Sequence, residues 1–326
     1  MTKDIFVFVE YKDGSARKVS LELLTKGKEI AEMNGATLYA GVIGFQTKDI
    51  AEVVKGFANK VVVVDNENLK DYRYDTYVSV IEQLVKKYQP SMVLGGSTVT
   101  GKDLFPRLAA RLNVPIVSDA VGIGFDGGRL KIKKPLYGGK VISWISFKDG
   151  VSPMVTFRPN SFTVEKFSTN GEVIEEAIDA AKDQKYAVLS MDKGGTKKVD
   201  LQEADFIICG GRGMKGPEHF QVLEDIATTM GGRVGASRAV VDSKWREYDD
   251  QVGKSGKTVS PKLYIGCGVS GALHHTMGMD TSKVIVAVNK DPNAPIFGYA
   301  DYGIVDDLFN ILPILKEELA KTKQEI

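Results

Sequence analysis

The sequence predicts an α/β protein of two domains, the first a doubly wound α/β domain with an antiparallel extension. Three observations carry this expectation. Short apolar runs alternate with amphipathic segments through the first half, as strands and helices do in a parallel sheet covered on both faces. A polar, glycine-bearing stretch without periodicity, Met191-Asp-Lys-Gly-Gly-Thr-Lys-Lys-Val-Asp200, separates that half from a second alternating unit. At 326 residues the chain also exceeds the size at which one core grows efficiently. The expected boundaries are 1–190 for the first domain, 191–200 for a linker and 201–326 for the second domain.

In the first domain, residues 5–9, 37–43, 61–64 and 92–95 are short and apolar and are expected as buried strands. Between them, residues 20–33, 49–57, 75–87 and 103–112 are amphipathic and are expected as helices. After Pro115 the pattern changes. Residues 122–128, 130–133, 141–147 and 154–157 alternate without long helices, which predicts the antiparallel extension, with hairpin turns at Gly127-Gly128 and Gly138-Gly139. Within the linker, Lys193-Gly-Gly-Thr-Lys-Lys198 has two glycines and no apolar anchor, the composition of a pivot. The second domain opens with the strand Asp205-Phe-Ile-Ile-Cys-Gly-Gly211. Pro217 then stands where the first turn of a helix tolerates its missing N–H, and residues 219–230 continue that helix. Residues 263–266 and 284–288 supply two more strands, and 304–321 a terminal helix with Pro313 inside it.

Composition narrows the function. The chain has 43 basic and 42 acidic side chains and no long basic block, which argues against a nucleic-acid partner. No apolar run approaches the ~20 residues that span a bilayer. The start, Met-Thr-Lys-Asp-Ile-Phe-Val-Phe-Val-Glu10, is too short in its apolar run and too charged for a signal peptide, so a cytoplasmic protein is expected. The two cysteines, Cys209 and Cys267, each end an apolar run beside glycine and are expected as buried thiols. No metal site is expected, because two Cys and three His show no paired ligand spacing. Nor does any nucleophile–base pair or catalytic carboxylate pair stand out.

The chemistry is concentrated in the second domain. Leu263-Tyr-Ile-Gly-Cys-Gly-Val-Ser-Gly-Ala-Leu-His-His275 reads as strand, glycine turn and helix start. Such a turn leaves backbone N–H groups pointing outward at a helix N-terminus, which suits a phosphate or pyrophosphate. Gly211-Arg-Gly-Met-Lys-Gly216 fits G-x-G-x-x-G between a strand and a helix, a pattern weak by itself that makes the domain Rossmann-like; Arg212 within it suits a diphosphate. In Gly235-Ala-Ser-Arg238, two small residues and Ser237 let a planar ligand approach the backbone, whereas Arg238 by itself reads more readily as a surface salt-bridge residue. Gln251-Val-Gly-Lys-Ser-Gly-Lys-Thr258 imitates a phosphate loop but lacks the first glycine of the nucleoside-triphosphate motif at the right spacing. His274 and His275 taken alone read more readily as structural than as catalytic residues.

In the order and spacing of these motifs, continuing through Val286-Ala-Val-Asn-Lys-Asp-Pro-Asn-Ala-Pro-Ile-Phe297 and Ala300-Asp-Tyr-Gly-Ile-Val-Asp-Asp-Leu-Phe309, the chain resembles the large (alpha) subunit of electron-transfer flavoprotein. The resemblance is specific from about residue 207 to 309 and diffuse before about residue 190, where Val93-Leu-Gly-Gly-Ser-Thr-Val-Thr-Gly-Lys-Asp103 and Arg107-Leu-Ala-Ala-Arg111 carry it. It implies an electron carrier whose second, Rossmann-like domain binds FAD. Arg212 is then a cofactor contact, Ser237 a hydrogen-bond donor and Arg238 the cation beside the flavin ring, favouring its anionic reduced form. The loop Gln251, Val252, Gly253, Lys254, Ser255 lies along the isoalloxazine, with a hydroxyl approaching N5. Ser255 stands where the family usually has Thr, and Lys254 where it has Gln. Ser270, Gly271, Ala272, Leu273, His274 and His275 form the anion turn and helix start, with His275 near the flavin pyrimidine edge. Asn289, Asp307 and Leu308 match the adenosine-side contacts. Lys244 and Glu247, in Lys244-Trp-Arg-Glu247, replace Gly and Pro, and Asp306 replaces a small residue. The implied partners are a beta (small) subunit, on which the first domain packs, and flavin dehydrogenases such as acyl-CoA dehydrogenase, with a bifurcating complex also open. Two rivals remain on the residues: a nicotinamide-dependent oxidoreductase using the Gly211–Gly216 turn, and a non-redox nucleotide-binding interaction protein.

Overall fold

The computed structural model describes residues 3–167, 169–180, 187–190 and 199–325, without the side chains of 322–325. The chain divides into two compact units, residues 1–195 and 196–326. Of the expected linker, 191–200, residues 191–198 lie outside the described residues, and with them the whole expected pivot, 193–198.

The first unit runs β1 (Ile5–Val9), a small hairpin of β2 (Tyr11–Lys12) and β3 (Ser15–Ala16), α1 (Lys18–Asn34), β4 (Leu38–Gly44), α2 (Lys48–Val54), β5 (Lys60–Asp65), α3 (Tyr74–Tyr88), β6 (Met92–Gly96) and α4 (Val99–Leu112). It continues with β7 (Ile116–Ala120), β8 (Gly122–Asp126), β9 (Arg129–Leu136), β10 (Val141–Ser146), β11 (Met154–Phe157) and β12 (Glu172–Glu175). Seven strands form one sheet, β12-β5-β4-β1-β6-β11-β7, and every pairing in it is parallel. All five residues of β1 are buried, and their side chains alternate between two cores. Ile5, Val7 and Val9 join Leu23, Leu24 and Ile50 on one face, whereas Phe6 and Phe8 join Ile81, Leu84, Phe105 and Leu108 on the other.

The antiparallel extension is a separate sheet of three strands, β10-β9-β8. Gly127 and Gly128 turn its first hairpin with φ of 57° and 77°, values that favour glycine. One strand expected in the extension is elsewhere. β11 lies in the main sheet, parallel to β6 and β7, because burial on both faces of Met-Val-Thr-Phe suits a central parallel strand. Helix α4 starts four residues before the expected position, since Thr98 Oγ1 accepts from the Gly101 N–H at 2.9 Å and caps it.

The second unit contains β13 (Phe206–Gly210), α5 (Gln221–Met230), β14 (Arg233–Ala236), α6 (Arg238–Asp242), β15 (Leu263–Cys267), α7 (Leu273–Thr276), β16 (Val284–Val288), β17 (Tyr302–Ile304) and α8 (Leu308–Glu325). Its five strands are all parallel in the order β14-β13-β15-β16-β17. On one face α5 and α8 place Leu223, Ile226 and Leu312 against Phe206, Ile208 and Val288. The other face, built on Ile207, Cys209 and Tyr264, is covered mainly by connecting segments bearing Val252, Val259, Met279 and Ile296. The terminal helix begins at Leu308 instead of residue 304: Tyr302–Ile304 pairs with β16, and Asp307 Oδ1 accepts from the Phe309 N–H at 3.0 Å. Among the described residues no helix is long and apolar enough to cross a membrane.

Candidate functional site

In the second unit the chain leaves β13 for β14 on one side and later places β15 on the other. That reversal opens a crevice at the carboxyl ends of the strands, where ligands bind in open parallel sheets. The predicted residues occupy this edge. Arg212 follows β13, Ser237 and Arg238 follow β14, Ser270 to His275 follow β15, Asn289 follows β16, and Asp307 follows β17.

The glycines at the edge serve backbone packing. A Cβ on Gly211 would collide with the Gly268 carbonyl oxygen and stand 2.7 Å from Val269 Cα, and one on Gly213 would stand 2.7 Å from Gly268 Cα. The two turns are joined by Gly211 N–H to the Cys267 carbonyl at 2.9 Å and Gly213 N–H to the Gly268 carbonyl at 3.2 Å. The G-x-G-x-x-G stretch does not feed a helix directly: two 3-10 turns, Arg212–Met214 and Pro217–Phe220, precede α5. The Arg212 side chain is exposed, and no carboxylate pairs with it among the described residues.

The turn after β15 is held from below. Gly268 and Gly271 have φ of 62° and 82°, and the Ile296 N–H donates to the Ser270 carbonyl at 3.1 Å. Gly271 is buried against the Ile296 backbone, while Ser270, Ala272, Leu273 and His274 are exposed. His275 points inward: Nε2 lies 2.7 Å from the Tyr264 hydroxyl, and Nδ1 is buried without a hydrogen-bond partner. Burial pushes this imidazole down to about 4, against a smaller opposing effect of the Val252 backbone, so it is neutral at physiological pH.

Residues 251–257 form a compact loop against α7. Lys254 N–H donates to the His274 carbonyl at 2.7 Å, and Lys257 N–H to the Gln251 carbonyl at 2.7 Å. A Cβ on Gly253 would stand 2.8 Å from the His274 carbonyl oxygen. Buried Gln251 donates through Nε2 to Ser255 Oγ at 3.0 Å. With that oxygen accepting, the Ser255 hydroxyl hydrogen is left to donate outward. Lys254 and Ser255 are exposed, and Val252 is buried.

Three further predicted residues have protein partners. Arg238 makes an exposed pair with Asp242 at 3.3 Å, one turn away; such a pair contributes only ~0.5 kcal/mol and yields easily to a ligand. Asn289 donates through Nδ2 to the Val269 carbonyl at 2.9 Å and accepts from the Asp291 N–H at 3.0 Å, fixing the turn after β15. Asp307 caps α8 and lies 3.8 Å from Lys215 Nζ, while Leu308 is buried beneath Gly268.

Sequence reading missed the group that anchors the loop. Asp250 is buried and binds Arg246 at 2.7 Å and Arg233 at 2.9 Å, and Arg246 also reaches Glu224 at 2.7 Å. The Arg246–Asp250 spacing of four was a usable signal; Arg233 and Glu224 come from distant elements. This network holds the segment Lys244-Trp-Arg-Glu247, where the sequence departs from the expected pattern. The two cysteines are buried free thiols, and burial pushes Cys209 up to about 12, which makes it unreactive. A cavity of about 320 Å³ lies in the first unit near Ile5, Met92 and Pro153, at the amino ends of its strands.

A parallel sheet that gathers cationic, hydroxyl and backbone donors on five carboxyl-end loops defines a nucleotide-cofactor domain. Comparison with known proteins makes the assignment specific. Residues 5–193 match the electron transfer flavoprotein domain, and residues 200–280 the electron transfer flavoprotein FAD-binding domain. The electron transfer flavoprotein subunit alpha of Thermoanaerobacterium thermosaccharolyticum is 41% identical over 98% of this chain and 99% of its own. That of Bacillus subtilis is 40% identical over 98% of both chains. The acryloyl-CoA reductase electron transfer subunit beta of Anaerotignum propionicum is 34% identical over 98% of this chain and 96% of its own. The chain belongs to the electron-transfer flavoprotein alpha-subunit family: it is an electron-carrier subunit, and its cofactor is FAD.

Proposed function

We propose that one non-covalent FAD lies along the carboxyl edge of the second sheet. The convergence of five strand ends and residues 251–257 on that edge carries this reading. The donor set fits the cofactor. Arg212 and the Ser270-Gly271 turn suit the diphosphate, and Ser237, Arg238, Ser255 and His275 suit the flavin; Asn289, Asp307 and Leu308 lie toward the adenosine side. The unpartnered Nδ1 of His275 and the outward hydroxyl hydrogen of Ser255 are polar groups that protein contacts leave unsatisfied. When bound, FAD supplies the redox chemistry, and the protein orients it, shields it and sets its potential. Acid precipitation of the protein, co-expressed with its small subunit, is expected to release FAD at about one per chain. FMN in the supernatant, or flavin retained covalently in the pellet, would contradict the assignment.

Arg238 tests the electrostatic part. Moving its guanidinium from Asp242 to the ring places a cation beside developing negative charge. Arg238→Ala is expected to lower the flavin potential by roughly several tens of millivolts, the equivalent of about 1 kcal/mol for one electron at an exposed charge. Stepwise reduction measures this, and an unchanged potential assigns Arg238 to its surface pair alone.

The carrier operates with a beta (small) subunit on which the first domain packs, and it receives electrons from flavin dehydrogenases such as acyl-CoA dehydrogenase. The protein works in the cytoplasm. A bifurcating, NADH-oxidising complex is a second reading, favoured by the relative described as an electron transfer subunit of acryloyl-CoA reductase.

A further inference from the structure

Ser255 is exposed, and a serine side chain has little stiffness of its own: with a single heavy atom on Cβ, its hydroxyl can take any staggered position. An exposed hydroxyl that serves a cofactor must be held by its neighbours. Two side chains hold this residue. Gln251 Nε2 donates to Ser255 Oγ at 3.0 Å, and the Tyr248 hydroxyl donates to the Ser255 carbonyl at 2.7 Å. Tyr248 also grips the start of the loop, because its own carbonyl accepts from the Gln251 N–H at 2.9 Å. One residue outside the loop thus clasps it at both 251 and 255. The clasp has a fixed base. Tyr248–Asp250 is a 3-10 turn, and its last residue, Asp250, is buried in ion pairs with Arg233 and Arg246. Tyr248 itself is 64% exposed, so its side chain acts on the fold mainly through that hydroxyl bond.

We propose that Tyr248 is a positioning residue for the cofactor: by tethering the Ser255 carbonyl, its hydroxyl sets the direction in which the Ser255 side chain leaves the loop. Gln251 then selects the rotamer. Both constraints are needed, since the Gln251 amide reaches Oγ only if Cβ stands in the right place, and the Ser255 backbone decides where Cβ stands. The loop would not hold that backbone unaided. Gly253, at φ of 139°, is a permissive joint two residues before Ser255. The functional consequence rests on the proposed FAD site; the tether is a property of the cofactor-free chain.

Amide hydrogen exchange of the cofactor-free full chain reads the tether. Tyr248→Phe removes the hydroxyl and keeps the ring. The Gly256 and Lys257 amides, which close the loop on the Gly253 and Gln251 carbonyls, are then expected to exchange about threefold faster. The second unit is expected to melt at the same temperature, because Tyr248 is exposed. In the complex with the small subunit, Tyr248→Phe is expected to raise the FAD dissociation constant about threefold, the effect of one lost exposed hydrogen bond. It should also shift the flavin potential in the same direction as Ser255→Ala. Because Tyr248 acts through the Ser255 hydroxyl, adding Tyr248→Phe to Ser255→Ala should change neither quantity further. Unaltered exchange in Tyr248→Phe overturns the tether. An equal loss of FAD affinity on the Ser255→Ala background overturns the positioning role, as does lower melting, which would make Tyr248 a general support of the fold. Failure of the wild-type complex to take up FAD would instead refute the functional reading, and exchange would still decide the tether.

Discussion

Gly211→Ala is expected to leave the carrier without FAD while its first unit remains folded. The backbone at Gly211 is ordinary, so the effect is steric: the new Cβ would collide with the Gly268 carbonyl oxygen and stand 2.6 Å from its carbon. Neither obstacle is a flexible side chain. The loops after β13 and β15 must separate, breaking the Gly211–Cys267 and Gly213–Gly268 hydrogen bonds and widening the crevice where the diphosphate is proposed to lie. Overpacking of this kind costs about 3 kcal/mol. Flavin content after purification and the thermal unfolding of each unit measure the outcome. A full complement of flavin in Gly211→Ala would show that the two turns are not the cradle.

The second large effect concerns Asp250. Among the described contacts, replacing it with alanine leaves Arg233 with the Val199 carbonyl and Arg246 with Glu224 and the Phe220 ring. Removing one partner of a buried ion network costs about 3–5 kcal/mol, because the remaining charge stays desolvated. The second unit is expected to melt roughly 10 °C lower. Gln251 follows Asp250 directly and positions Ser255, so FAD should also dissociate more readily from the Asp250→Ala protein. Unchanged melting would mean that water replaces the lost carboxylate and that the network does not anchor the loop.

The fold was legible wherever burial imposes a periodicity. Residues 5–9 were expected as a strand and form β1, whose five side chains alternate between two cores. Residues 154–157 were placed in the wrong sheet, since four consecutive buried residues announce a central strand without naming its neighbours. The start of α8 was misplaced for a similar reason. Tyr302–Ile304 is a strand only because β16 lies beside it, and its own residues are exposed.

By itself the sequence determined which residues meet the carboxyl edge of the second sheet. Glycine turns and helix starts recur after each strand, and a parallel sheet must bring all its strand ends to one side. The tertiary structure alone decided what those residues do before any cofactor arrives. Arg238 pairs with Asp242, Asn289 holds Val269, Asp307 caps α8, and Ser255 accepts from Gln251 so that its own hydrogen turns outward. It also supplied the buried partners of the site, Tyr264 under His275 and Asp250 between two arginines. Motif spacing records position along the chain, whereas a hydrogen's direction depends on which distant side chain is packed against it.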